Sequence, residues 1–324
     1  MKPYTFVFPC ILLLLACSCN FVFEAGMEPA STVQATAALP SLTASPSPSP
    51  TVPTNTPTDI PTNTASPTPL PGSVVIPLSS MKSSIPWLPA DETKTPAVFV
   101  VTFNVQKPPF DNPLVRKAFA ASVDRDAIVK MAKNWYAVDP IAATTFIPPQ
   151  TLGRDLYGEV GINFDPILAK DLLTQAGYTE PASFPKVTFL VSSYGEVAPG
   201  ARLLMARSMA ELWHNTLGVT VVAEDAKSRA FGDRIKSNPP ELFWIGWTVE
   251  PGNDPDFIRP VFRTTGENNL GHFASPEFDS LVVFAASSHI PDVRQALYIE
   301  AERLLCETEV GIIPLYHVII PSNQ

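Results

Sequence analysis

The sequence predicts an α/β domain, a mixed and mostly parallel sheet flanked by helices, preceded by a long disordered Pro/Thr linker. Three observations carry this. From residue 97 onward, short runs of β-branched and aromatic residues alternate with amphipathic runs at helical spacing. Several helical runs begin on a readable signal: Asp165-Pro166, Asp254-Pro255 and Ser275-Pro276 each place a capping side chain before a proline at the first helical position. Residues 31–71, in contrast, are almost only Ser, Thr, Pro, Ala and Asn, with Asp59 the sole charge. That composition cannot bury a core, and its prolines favour an extended, semi-rigid spacer.

Taken in order, 97–104 reads as a strand and Lys107–Asp111 as a turn. Helices follow over 113–123, with Leu114, Val115, Ala118, Phe119 and Ser122 on one face, and over 125–135, capped by Asp124. Residues 139–163 are rich in Pro and Gly and read as loop. The helix opened by Asp165-Pro166 has Leu168, Leu172 and Ala176 at core spacing and ends at Gly177. A strand over 187–191 precedes a long helix over 199–217, with Leu203, Ala206, Ala210, Trp213 and Leu217 inward and Gly218 as its stop. Then come a strand at 219–223, a short helix at 228–237 around Phe231 and Ile235, and a strand at 241–247. Helices start at Asp254, at Ser275-Pro276 and over 291–307. The last segment, 310–320, is extended and broken by Pro314.

The first residues form a secretory signal: one basic residue, Lys2, then an apolar run from Phe6 to Ala16 too short to span a bilayer. Leu14-Leu15-Ala16-Cys17 resembles a bacterial lipobox, which makes Cys17 the expected lipidation site and divides the chain into a signal peptide (1–16), a spacer (17–72) and a folded region (73–324). Net charge is −9. Residues 1–80 hold Lys2 against Glu24, Glu28 and Asp59, so the remainder carries −7. An acidic domain without Lys/Arg runs argues against nucleic acid and against an anionic membrane surface as partner. Within the folded region, 73–324, Cys306 is the sole cysteine, in an apolar helical pattern, hence a small buried hydrophobe. There is no nucleophile elbow, P-loop, dinucleotide fingerprint or zinc-protease motif, and the four histidines lack ligand-like spacing. No enzyme, metal or cofactor is expected.

The stretch 241–257 changes character within a few residues. Leu242-Phe243-Trp244-Ile245 is strand-like; Gly246-Trp247 leads into a loop with Glu250 and Pro251-Gly252, and Asp254-Pro255 restarts a helix. Ligands of open α/β sheets sit beyond the carboxyl ends of strands. Read alone, the stretch favours two core tryptophans and a solvated loop acid at Glu250 over a ligand site, because buried aromatics are mostly packing.

An ordered set of motifs goes further. It comprises Phe103-Asn104, Pro108-Pro109-Phe110-Asp111, Val115-Arg116-Lys117-Ala118, Val123-Asp124-Arg125, Phe164-Asp165-Pro166 with Ala169, Leu172-Leu173 and Ala176-Gly177-Tyr178, Gly246-Trp247, Asp254-Pro255, Asn268-Asn269, Ser275-Pro276-Glu277-Phe278-Asp279, Ala301-Glu302 and Ile313-Pro314-Leu315-Tyr316. Over about 97–320 the chain thereby resembles the C-terminal half of family 5 extracellular solute-binding proteins, the peptide receptors of ABC importers. The resemblance implies the second lobe of a periplasmic-binding-protein-like clamshell that binds a peptide or other small solute and delivers it to an ABC permease. It also implies that Glu250 takes a ligand's ammonium group, that Trp247 and Trp244 line a side-chain pocket, and that Asn268 and Asn269 belong to the ligand-binding set. The usual first lobe has no counterpart ahead of Phe103, so a separately encoded N-terminal lobe is an expected partner. The alternatives are a surface interaction module that no longer transports, or a truncated remnant.

Overall fold

The computed structural model describes residues 94–136, 139–193, 200–249 and 254–321. All of them belong to one compact unit, and the other unit, 19–75, lies outside the described residues, as do the signal segment and Cys17. In chain order the elements are β1 (Lys94–Phe103), α1 (Pro113–Ala121), α2 (Arg125–Tyr136), β2 (Ile141–Ala142), α3 (Pro149–Leu152), α4 (Pro166–Gln175), β3 (Val187–Val191), α5 (Ala201–Leu217), β4 (Val221–Asp225), α6 (Ser228–Ser237), β5 (Leu242–Thr248), α7 (Ile258–Phe262), α8 (Pro276–Ser287), α9 (Pro291–Arg303) and β6 (Ile312–Pro321). Among the described residues no helix is long and apolar enough to cross a membrane.

The α/β class and the mixed sheet are as expected. The strand order is β2-β6-β1-β5-β3-β4. Its parallel share is smaller than the alternation of strands and helices suggests. β5, β3 and β4 run parallel, whereas β1 is antiparallel to both β5 and β6, and β2 to β6. The reason is that β1 and β6, the first and last described strands, enter the middle of the sheet without a crossover helix between them and a parallel neighbour.

Side chains alternate between the two faces of the sheet and build a core on each. Leu242, Trp244, Val101, Phe103 and Phe189 meet α1, α2, α4 and α5 on one side. Phe243, Ile245, Val98, Val100 and Leu190 meet the layer of α6 to α9 on the other. Burial of each such large side chain contributes about 1.5–3 kcal/mol. Pro314 does not break β6. The register against β1 shifts between Phe99 and Val100, so a bulge sits beside the proline, where a missing N–H does least harm. The extra residue brings Leu315 and Tyr316 to the same face.

Capping follows the sequence closely. The Asp165 carboxylate accepts from the N–H of Ile167 and Leu168, Ser275 from Phe278, and Asp254 from Asp256; Gly218 ends α5 in the left-handed region at φ 72°. The inward face of α4 does not. Ala169 and Leu173 are buried, while Leu168 is 42% exposed, one helical step away from the expected stripe. The Asp165 N–H donates to Ala121 O at 2.7 Å, pinning the start of α4 to the end of α1 and so fixing the rotation of the helix. In α5, likewise, Met205 and Met209 are buried with Ala206, Trp213 and Leu217, and Leu203 and Ala210 form the flank. The stretch expected as loop, 139–163, contains β2 and α3.

Candidate functional site

Three charged residues of the ordered motifs, Arg116, Arg125 and Glu302, are buried and serve the scaffold. Arg116 is saturated by carbonyls: Nε donates to Val310 O (2.9 Å) and Glu309 O (3.1 Å), Nη1 to Phe110 O (2.7 Å) and Nη2 to Glu309 O (2.6 Å). It thus ties α1 to the turn before β6, where Val310 has φ 53°, a strained value for a β-branched residue. Arg125 donates to Pro314 O and Ile162 O. Burial pulls both guanidinium groups down to about 10.

The segment after β2 is clamped from both sides. Glu302, fully buried, accepts the N–H of Phe146 (2.7 Å) and of Ile147 (2.6 Å), and the Cys306 thiol lies 3.4 Å from its Oε2. His317, also buried, sets Nε2 3.0 Å from Thr145 O; a carbonyl only accepts, so Nε2 carries the proton. Burial pushes the Glu302 carboxyl up to about 7, outweighing the two backbone N–H bonds, and holds His317 down at about 4. Phe146 in turn stacks on Phe257 at 4.9 Å and meets Phe262 edge-on at 4.7 Å, so the clamp supports the elements that follow β5.

The carboxyl ends of β3, β4 and β5 share one edge of the sheet because the three strands are parallel. Polar atoms there are left open. Trp247 Nε1 and Ser193 Oγ are buried without a hydrogen-bond partner among the described residues. The Ser193 N–H donates to Asp225 Oδ1 at 2.9 Å, joining the ends of β3 and β4. Gly246 is required at the turn of character: a Cβ there would come within 2.7 Å of the Phe99 ring, which lies opposite it in the β1–β5 register and stacks on Tyr316 at 4.9 Å. The Val249 N–H donates to Pro96 O at 2.9 Å and anchors the strand end just before Glu250.

The profile of the bacterial extracellular solute-binding proteins of family 5 matches residues 68–269, more than half of the chain and the whole span from β1 to the end of α7. The chain belongs to this family. Curated relatives of this family 5 protein include the periplasmic oligopeptide-binding protein OppA of Salmonella typhimurium, 28% identical over 67% of this chain and 38% of that one. The glutathione-binding protein GsiB of Salmonella choleraesuis is 28% identical over 63% and 39%. The chain therefore spans about two fifths of the length of these relatives. Among solved structures, the murein tripeptide-binding protein MppA in its open form superposes with TM-score 0.60 at 22% identity over 72% of this chain and 44% of that one. A dipeptide-binding protein from Pseudoalteromonas sp. in complex with Met-Leu gives 0.59 at 25% identity over 70% and 45%. A peptide-binding protein of a peptide ABC transporter gives 0.56 at 22% identity over 68% of this chain and is covered over 99% of its own length. The relatives are binding proteins of transporters, not enzymes.

The structure separates the residues that the resemblance groups. Trp244 and Trp247 are three apart on one strand, an odd spacing, so they leave opposite faces. Trp244 is 2% exposed and lies in the core, parallel to Phe189 at 6.2 Å. Trp247 is half-buried at the edge and packs against the same cluster as Phe257 and Leu270. The two indoles therefore do not line one pocket. Asn269 is a loop staple: Nδ2 donates to Arg263 O (3.2 Å) and Phe273 O (2.7 Å), and Oδ1 accepts the Phe273 N–H (3.0 Å), which commits its whole amide. Asn268 is half-buried, and its backbone N–H bonds Pro260 O. Glu250 lies outside the described residues. Sequence reasoning passed over an open groove lined by Asp254, Asp256, Phe257, Arg259, Arg263 and Glu267. Its positions were legible as a helix start; its lining is set by which charges pair, and that is a tertiary matter.

Proposed function

We propose that this chain is a surface-exposed peptide- or solute-binding component of an ABC importer, with Trp247 and Glu250 at the carboxyl edge of β5 as its binding wall. The observation that carries this reading is the partly buried Trp247 indole, whose N–H is left without a partner at that edge. A buried donor without an acceptor costs on the order of 1–3 kcal/mol, and a ligand carbonyl would offset it. Glu250, three residues on, supplies a carboxylate for a ligand ammonium through a charge-assisted hydrogen bond. Trp244 supports the wall from behind as core, and Asn269 fixes the following loop. The domain layout is a signal peptide (1–16), a spacer (17–72) and the binding lobe (73–324), held to the outer face of the cytoplasmic membrane through lipidated Cys17. A separately encoded N-terminal lobe would provide the opposite wall.

The test is isothermal titration of the full chain with mixed di- to pentapeptides, alone and with a candidate first-lobe protein. Binding that weakens at least tenfold in Trp247→Ala and in Glu250→Gln is expected. Absence of heat with every peptide, with and without the second protein, overturns the reading. Fatty-acid labelling that disappears in Cys17→Ala tests the anchor.

A further inference from the structure

Among the described residues that line the groove after β5, Arg263 is the one cation without an ion-pair partner. Arg259 is held by Asp256, with Nε at 3.0 Å from Oδ1 and Nη2 at 2.7 Å from Oδ2. Asp256 also accepts from Tyr298 OH at 3.0 Å, and Asp254 pairs with Arg294 at 2.5 Å. Asp279 on α8 accepts the Thr264 N–H at 2.9 Å. Arg263 has no ion-pair partner among the described residues, and its Nε is buried without an acceptor. The backbone around it is fixed: Arg263 O accepts from Asn269 Nδ2 (3.2 Å) and from the Gly266 N–H (2.6 Å), and the Arg263 N–H bonds Arg259 O (3.0 Å). Gly266 packs so closely that a Cβ would lie 2.6 Å from Pro260 O.

From this we infer that Arg263 is a binding site for a single carboxylate. A guanidinium fork on a rigid turn, partly removed from water and lacking an anion, matches the planar, two-oxygen geometry of a carboxylate. Asp256 pairs with Arg259 inside the groove and Asp254 with Arg294 outside it, which leaves the Glu267 carboxylate to disfavour a second negative charge on the ligand. The class is thus a monocarboxylate, such as the C-terminus of a short peptide. Only the source of that carboxylate rests on the function proposed above; the site itself does not.

The experiment follows the arginine Nε–H signals of the full chain labelled with nitrogen-15 by NMR, assigned with Arg263→Gln. N-acetylglycine should shift the Arg263 signal saturably, with N-acetylglycinamide at least tenfold weaker. Arg263→Lys, which keeps the charge but loses the fork, should weaken N-acetylglycine binding at least fivefold. An Arg263 signal that does not move, or that responds equally to acid and amide, overturns the inference. A protein that binds peptides with free and amidated C-termini alike keeps the proposed function and loses this site. One whose Arg263 responds to N-acetylglycine while no peptide binds keeps this site and loses the proposed function.

Discussion

The segment around Thr145–Ile147 and the edge after β5 are both built from buried polar groups, and they treat them in opposite ways. In the first, the charged groups are all used, with only the buried Thr144 hydroxyl left without a partner among the described residues: Glu302 takes two N–H groups, His317 gives one to Thr145 O, and Arg125 spans Pro314 and Ile162. At the second, Trp247 Nε1, Ser193 Oγ and Arg263 Nε stand without partners. A closed network specifies one structure; buried donors without partners, the core Trp244 Nε1 among them, cost stability. Motif residues that make the family recognisable, such as Arg116, Arg125 and Glu302, are therefore part of its scaffold.

The largest expected effects break the closed side. Glu302→Ala strands two buried N–H groups and should cost roughly 3–5 kcal/mol in urea unfolding. Trp244→Ala should cost a similar amount, about 3–5 kcal/mol, because it empties a core position. Trp247→Ala, at the open edge, should cost no more than about 1–2 kcal/mol. Equal losses for the two tryptophans would erase the contrast between them.

The next effect lies in pH dependence. Glu302 has a folded value of about 7, above its unfolded value, so its contribution to stability is present below about pH 4.5 and is lost as pH rises to 7. His317 has a folded value of about 4, below its unfolded value, so its contribution is present above about pH 6.5 and is lost as pH falls to 4. Each is worth up to about 3 kcal/mol, and the two slopes oppose one another across nearly the same window. These groups should leave unfolding free energy nearly flat there in the wild type. Glu302→Gln should expose stability that rises with pH, and His317→Asn stability that falls with pH, as read from denaturant midpoints. Cys306, Arg125 and Asp155 face the pair and are unchanged in both variants.

The smallest effect sharpens the comparison within one dipeptide. Asn269→Ala removes a threefold loop staple and should cost about 1–3 kcal/mol. Asn268→Ala, whose side chain makes no such bonds, should stay within about 0.5 kcal/mol in thermal unfolding.

Much of the architecture was legible because it rests on local chemistry. Asp165, Asp254 and Ser275 accept backbone N–H groups of their own helix starts, so nearest neighbours decide them. The strand 241–247 and its alternation were readable for the same reason, and so was the odd spacing that parts Trp244 from Trp247, once the strand is taken to continue through Gly246. Other features depend on contacts far along the chain. The rotation of α4 is fixed by Ala121, the place of Pro314 by a bulge against β1, and the burial of Glu302 by amides more than 150 residues away. The vacant fork of Arg263 is of the same kind. An arginine two turns past an Asp-Pro start looks like any other charge in a sequence, and only the pairing of its neighbours in three dimensions leaves it without an ion-pair partner among the described residues.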